Sequence, residues 1–219
     1  MKFYVFDNPK IDSPDDQRGG MDAIKEEGFN VGDAPRCPKC GRPLGMLLWL
    51  PPYRLELETW GRDYGDVSRT GDNLVVSHRF VHMYQDAALK GLAHFEPVQV
   101  LRLIHRRGRP KEAPPSYFTA TVPQSQTTVD QEASGYVWKD DSEWCRVCLR
   151  RRIIIRYERV IIKPETWAGE DIFFPRGGRM IVVSDRFREA FERHALRGAI
   201  CIPAEDYGYD SYASPFSGK

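Results

Sequence analysis

Two Cys-x-x-Cys pairs, 108 residues apart, constrain this chain more than any other feature: Cys37-Pro38-Lys39-Cys40-Gly41 and Cys145-Arg146-Val147-Cys148-Leu149. A Cys-x-x-Cys turn aims two sulfurs at one point, and two such turns supply four thiolates at tetrahedral angles, with Zn–S near 2.3 Å. If one metal takes both pairs, the hundred or so residues between them must fold back on themselves. The spacing therefore predicts a single Zn²⁺ site built from Cys37, Cys40, Cys145 and Cys148. Gly41 suits the positive φ of a tight knuckle, and Pro38 stiffens the same turn; the second pair has Leu149 where the first has glycine. Arg42, Arg146 and Arg150 are placed to offset the formal −2 charge of a tetrathiolate zinc centre. Four cysteines close the coordination shell, whereas a catalytic zinc keeps a position open, so the expected role is structural. Such a metal can contribute on the order of 10 kcal/mol to folding.

A second internal match lies close to the same period. Residues 74–91, LVVSHRFVHMYQDAALKG, align without a gap onto residues 181–198, IVVSDRFREAFERHALRG, with eight identities: Val75/Val182, Val76/Val183, Ser77/Ser184, Arg79/Arg186, Phe80/Phe187, Ala88/Ala195, Leu89/Leu196 and Gly91/Gly198. Glu58-Thr59-Trp60 matches Glu165-Thr166-Trp167 at the same offset. Self-similarity of this kind points to an internal duplication. Each copy reads as a strand (Val182, Val183), an N-cap serine (Ser184) whose hydroxyl can accept from the first free amides, and a helix. Phe187, Ala190, Phe191 and Ala195 share one helix face, as do Phe80, Met83, Tyr84, Ala87 and Ala88. Gly91 and Gly198 are expected to take the left-handed C′ position. A short strand follows each helix, at Leu92–Phe95 and Ala199–Ile202.

Further strands are expected at Lys2–Phe6, Leu47–Leu50, Arg54–Glu58, Val98–Ile104 and Arg152–Ile162. Asp7–Ala34 and Arg107–Asp141 read as loops, the first with a short helix near Met21–Glu27, the second a Pro/Ser/Thr/Gln-rich connection. The fold class that results is α+β: two related strand–helix units joined by a four-cysteine, zinc-ribbon-like site. Residues 1–106 form the first unit, with the N-terminal strand and first knuckle. Residues 107–141 form the connecting loop, and 142–219 the second unit, all within one compact domain.

The 219 residues are 41% apolar and 29% charged with a net charge of +1, a balance that favours neither nucleic acid nor membrane. The N-terminal MKFYVFDNPK has too short an apolar run for a secretory signal, and no stretch reaches bilayer length. A cytoplasmic protein with reduced thiols is expected. Cys201, within Ala199-Ile200-Cys201-Ile202, reads as a core thiol. Trp144-Cys145-Arg146-Val147-Cys148 superficially resembles a thioredoxin-type redox motif, but Leu149–Ile162 has strand rather than helix character. His78, His82, His94, His105 and His194 show no ligand spacing. No nucleophile elbow, P-loop or dinucleotide fingerprint occurs, and the paired acids Asp140-Asp141 read as solubilising, so no enzyme is expected. The basic run Arg102–Lys111 and Arg150-Arg151-Arg152 leave nucleic-acid binding as the alternative.

CPKCG, a second Cys-x-x-Cys in the latter half and the closing IVVSDRFREAFERHALRG together resemble the double-CxxCG immunity proteins of myxobacteria. The specific motifs cover about a quarter of the chain, and Leu149 departs from the family's glycine. The resemblance implies a non-enzymatic protein that binds and neutralises a cognate polymorphic toxin in the cytoplasm. Its metal ligands carry over to Cys37, Cys40, Cys145 and Cys148; no toxin-binding residue carries over.

Overall fold

The computed structural model describes residues 1–8, 20–108, 110–139, 143–150 and 153–212. The fold is α+β, dominated by sheet. One sheet of five strands runs in the order β11 (Gln124–Thr128), β14 (Ile172–Arg176), β15 (Val182–Ser184), β1 (Phe3–Asp7), β16 (Ile200–Pro203). A second, of four, runs β6 (Val67–Thr70), β7 (Asn73–Ser77), β10 (Tyr117–Thr121), β8 (Ala93–Pro97). The helices α1 (His78–Asp86) and α2 (Asp185–Arg193) leave the ends of β7 and β15. Smaller sheets join β2 (Gly20–Lys25), β5 (Arg54–Trp60) and β9 (Gln99–Arg107), and β12 (Val137–Lys139), β13 (Ile153–Tyr157) and β17 (Tyr209–Asp210). A two-stranded ribbon pairs β3 (Val31–Gly32) with β4 (Leu48–Trp49).

The two strand–helix units are built alike. Each has a hairpin (β6–β7 or β14–β15) feeding a helix, then a strand (β8 or β16) separated from the hairpin by one antiparallel strand from elsewhere in the chain. In the first unit the inserted strand is β10, and in the second it is β1. The N-terminal strand thus belongs to the second unit's sheet and not, as its position suggests, to the first. The expected connecting loop contributes β10 to the first sheet and β11 to the second. Its sequence reads as loop because Ser, Thr and Gln dominate it, but Tyr117, Thr119, Ala120, Ser125, Thr127 and Thr128 are buried; β-branched and aromatic residues tolerate that setting, and the hydroxyls of Ser125, Thr127 and Thr128 find partners in Glu170 and the Gln126 carbonyl. The expected helix at Met21–Glu27 is strand β2, whose Met21 and Ala23 alternate inward against β5. Of the long strand expected over 152–162, β13 forms only Ile153–Tyr157. Residues 9–19, and the acids Asp140 and Asp141, lie outside the described residues.

Both helices begin as their serines dictate: Ser77 Oγ accepts from the Phe80 amide at 3.3 Å and Ser184 Oγ from the Phe187 amide at 3.2 Å. Phe80, Met83 and Tyr84 of α1 and Phe187, Ala190 and Phe191 of α2 turn inward into a shared core with Phe6, Val76, Ile172 and Val183. The helix ends differ from expectation. The left-handed residues are Ala88 (φ 46°) and Ala195 (φ 48°). The amides of Leu89 and Leu196 close a Schellman turn onto the Tyr84 and Phe191 carbonyls, and both leucines are buried. Gly91 and Gly198 are needed for a different reason. A Cβ on Gly91 would lie 2.0 Å from the carbonyl oxygen of Ile172, and one on Gly198 2.3 Å from that of Val67. Each glycine lets one unit's helix exit lie flat on the other unit's first strand.

The reciprocity extends to charge. Asp66 accepts from Ser77 Oγ at 2.6 Å, from Arg79 at 3.1 Å and from the Arg197 amide at 3.0 Å. Asp171 accepts from Ser184 Oγ at 2.7 Å, from Arg186 at 3.4 Å and from the Lys90 amide at 2.9 Å. Arg79 also donates to the His194 carbonyl, and Arg186 to those of Ala87 and Ala88, so each arginine caps the other unit's helix. The Glu-Thr-Trp match has no such counterpart: Glu58-Thr59-Trp60 is strand β5, whereas Glu165 and Thr166 lie in a 3₁₀ turn.

Candidate metal centre

The first knuckle hangs between β3 and β4 and the second between β12 and β13. They have the same internal geometry. The Gly41 amide donates to the Cys37 carbonyl at 2.9 Å and the Leu149 amide to the Cys145 carbonyl at 2.8 Å. The Cys37 amide returns to the Arg42 carbonyl at 2.8 Å and that of Cys145 to the Arg150 carbonyl at 3.3 Å. Gly41 has φ 69° and Leu149 φ 56°. Leu149 therefore occupies the left-handed conformation that glycine takes in the first turn, at a steric cost of about 1–2 kcal/mol.

The turns face each other. Cys37 Sγ lies 3.8 Å from Cys145 Sγ, and Cys40 Sγ 3.8 Å from Cys148 Sγ. All four sulfurs fall within 4.8 Å of one another, and the cysteines are free thiols. A tetrahedron with metal–sulfur bonds near 2.3 Å has edges of about 3.8 Å; the two cross-knuckle pairs stand at that spacing, and the set as a whole is compatible with a tetrathiolate metal site. Cys37, Cys145 and Cys148 are buried, with the partly buried Leu44 packed against them, while Cys40 is exposed.

The backbone prepares the sulfurs for ionisation unequally. Amides of Cys40 and Lys39 donate toward Cys37 and hold its thiol below the ordinary range. Amides of Cys148 and Val147 do the same for Cys145, bringing it down to about 6. Burial pushes Cys148 up to about 12. A thiolate accepts hydrogen bonds better than a thiol, so amides that stabilise Cys145 as an anion also stabilise it as a ligand.

Arg150 ties the centre to the body of the protein. It is buried, and it donates to the Leu44 carbonyl at 2.8 Å, beyond the first knuckle, and to the Gly178 carbonyl at 2.7 Å, in the β14–β15 turn. Its own carbonyl accepts from Arg42 at 2.8 Å. Gln131 Nε2 adds bonds to the carbonyls of Leu149 and Gly177. Of the three arginines, Arg150 lies near Cys148, Arg42 reaches the Arg150 carbonyl, and Arg146 is exposed. Gln131 is hidden in a stretch that reads as loop, and nothing in its neighbourhood signals the role.

Other candidates sort out quickly. His78 and His82 are exposed on α1. Cys201 packs against the core of the two units, and burial raises its thiol to about 12. In the basic strand β9, Arg102 pairs with Glu56 at 2.6 Å and Arg106 with Glu58, both from β5; Arg109, Arg151 and Arg152 lie outside the described residues. No described helix is long and apolar enough to cross a membrane. No protein-family model matches the chain, and no curated protein matches it.

Proposed function

We propose that the chain is an immunity protein, which binds a cognate bacterial polymorphic toxin in the cytoplasm and neutralises it by occupancy. A structural Zn²⁺ on Cys37, Cys40, Cys145 and Cys148 would clamp the knuckles together; sulfur spacing near that of a tetrathiolate zinc tetrahedron supports this choice of metal. The observation that carries the binding reading is an apolar ridge beside the first knuckle. Met46, Leu47, Leu48 and Leu50 are 60%, 53%, 44% and 39% exposed. Val31, opposite Trp49 on β3, adds another exposed side chain. Contiguous exposed apolar groups gain free energy when a partner covers them. The ridge is also held in place: Trp49 is buried edge-on against Tyr53, the Leu50 amide bonds the Asn30 carbonyl at 3.0 Å, and the Met46 amide bonds Asp72. A surface already ordered loses little entropy on binding. The toxin as partner rests on the sequence resemblance. Nucleic-acid binding has less support, because the glutamates of β5 occupy two cations of the basic strand.

We also read the two units as copies of one ancestral segment. Matched contacts by Asp66 and Asp171, Ser77 and Ser184, and Arg79 and Arg186 support the reading, while the Glu-Thr-Trp coincidence does not.

The test is co-expression with the neighbouring reading frame. The C-terminal region of that neighbour should be toxic alone and harmless beside this chain; a non-toxic neighbour sinks the immunity reading. Leu47→Asp with Leu48→Asp should abolish rescue while leaving metal content and melting temperature unchanged. Rescue by that variant would remove the ridge as the footprint.

A further inference from the structure

The four cysteines of the metal centre are not equally sheltered. Cys40 is exposed, whereas Cys37, Cys145 and Cys148 are buried. A cavity of about 180 Å³ lies beside them, with Cys37 and Cys148 in its lining. A molecule little larger than water therefore has two approaches to the centre. The sulfur that Cys40 meets belongs to the other half of the chain: Cys148 Sγ is 3.8 Å away, and Cys37 and Cys145 repeat the arrangement at 3.8 Å. The sulfurs of a disulfide stand about 2.05 Å apart, so each cross-knuckle pair has to close by about 1.8 Å. The knuckles are also held face to face by groups that need no metal. Arg42 donates to the Arg150 carbonyl and Arg150 to the Leu44 carbonyl, each at 2.8 Å. Both bonds cross between the knuckles, so sulfurs freed of a metal stay opposite one another. Cys201, the remaining cysteine, packs elsewhere, against the core of the two helices.

We propose that the centre is a modification site for peroxide: Cys40 is oxidised first, and two disulfides, Cys40–Cys148 and Cys37–Cys145, replace the metal as the link between the two halves. The Cys40 thiolate attacks one oxygen of the peroxide. An S–O bond forms, the O–O bond breaks, and hydroxide leaves and is protonated to water. The Cys148 thiolate then attacks the Cys40 sulfur; the S–S bond forms, the S–O bond breaks and a second hydroxide leaves. Two electrons have passed from the sulfurs to the peroxide. A second peroxide does the same for Cys37 and Cys145. Four thiolates, two peroxides and four protons thus give two disulfides and four waters, and the metal ion departs without its ligands. Each disulfide spans 108 positions of the chain, and cross-links that close long loops restrain the unfolded state most. Oxidation therefore exchanges one link for another and leaves the halves joined. This inference rests on the zinc reading of the centre and not on the toxin reading.

The experiment titrates the zinc-loaded full chain with hydrogen peroxide. Zinc release is followed with a colorimetric chelator, and disulfides are mapped by mass spectrometry without reduction. One zinc released for every two peroxides is expected, with the Cys40–Cys148 and Cys37–Cys145 peptides and one thiol left, at Cys201. A sulfenic-acid trap added at the start should label Cys40 ahead of the other three. Dithiothreitol, given without zinc, should lower the melting temperature of the oxidised protein, and dithiothreitol with zinc should restore the starting state. Disulfides within a knuckle, Cys37–Cys40 or Cys145–Cys148, would overturn the exchange, as would zinc retained at a large excess of peroxide. First labelling at Cys37, Cys145 or Cys148 would remove Cys40 as the entry point. Protein purified without zinc would count against the metal reading alone, because the same map of its thiols still decides the pairing.

Discussion

Asp66 and Asp171 hold each other's units: Asp66 accepts the Arg197 amide at 3.0 Å and Asp171 accepts the Lys90 amide at 2.9 Å. Each acid also lies beneath its own N-cap serine, so one carboxylate fixes both the start of its helix and the exit of the other.

Removing either acid should therefore cost about the same. Asp66→Ala and Asp171→Ala each strand a buried serine hydroxyl and a backbone amide, worth about 2–4 kcal/mol together. The arginines on these acids are half exposed and add little. Urea denaturation at neutral pH should show both losses. A loss under about 0.5 kcal/mol for either, in the range of an ordinary surface change, would mean that the clasp is ornamental.

Gly91→Ala and Gly198→Ala should be among the most damaging single-methyl changes in the chain. The added carbon meets a backbone carbonyl in each case, and φ is 123° and 99°. Backbone cannot step aside as a flexible side chain can, so a loss of about 3 kcal/mol or more, or failure to fold, is expected. Melting temperatures within a degree or two of the parent would contradict the close approach.

The two knuckles differ at the residue after the second cysteine, Gly41 or Leu149, and swapping its character should act in opposite directions. Leu149→Gly relieves the left-handed strain and should raise stability by about 0.5–1 kcal/mol in the metal-loaded protein. Gly41→Ala should lower it by a similar amount through backbone alone, because nothing lies within 4 Å of the added carbon. Chemical denaturation of the pair settles both signs.

Thiol counting separates the five cysteines into four and one. With metal bound, alkylation at pH 8 should be slow everywhere. After chelation the emptied knuckles should react before Cys201: Cys145 first, since its thiol is held down to about 6, and Cys148 last of the four, since burial pushes it up to about 12. Cys201 should lag until unfolding, because burial holds it protonated to about 12. The sign of its linkage follows. The folded state keeps the proton that the unfolded chain loses near 8.5, so this contribution to stability is complete below that pH and is lost as pH rises towards 12. Mass spectrometry showing Cys201 modified alongside the others would place it at the surface.

Some of this is plain in the sequence, and the rest is hidden for physical reasons. Cys37, Cys40, Cys145 and Cys148 can be read directly, because ligand spacing is a local code for a long-range contact. Ser77 and Ser184 mark helix starts for the same reason: a cap acts within three residues. Gly91 and Gly198 stand out in the repeat, but their duty is invisible there, since what forbids their side chains is the carbonyl of Ile172 or Val67 in the other unit. Sheet membership is hidden most. Tyr117–Thr121 gains its identity as β10 only by lying between β7 and β8, and β2 reads as helix because so short a segment holds too few turns of either period. Leu149 looks like a blemish in the second knuckle, yet its φ matches the glycine turn.

The first strand has its own consequence. Tyr4 bonds Asp185, 181 positions later, and β1 sits between β15 and β16. A ribosome making this chain at 5–20 residues per second delivers the earliest strand about 10–40 seconds before its neighbours exist. During that interval Phe3, Val5 and Phe6, all destined for the interior, have no sheet to join. The second half cannot close without β1, and synthesis becomes a waiting period in which that strand stays unpaired until its neighbours are made.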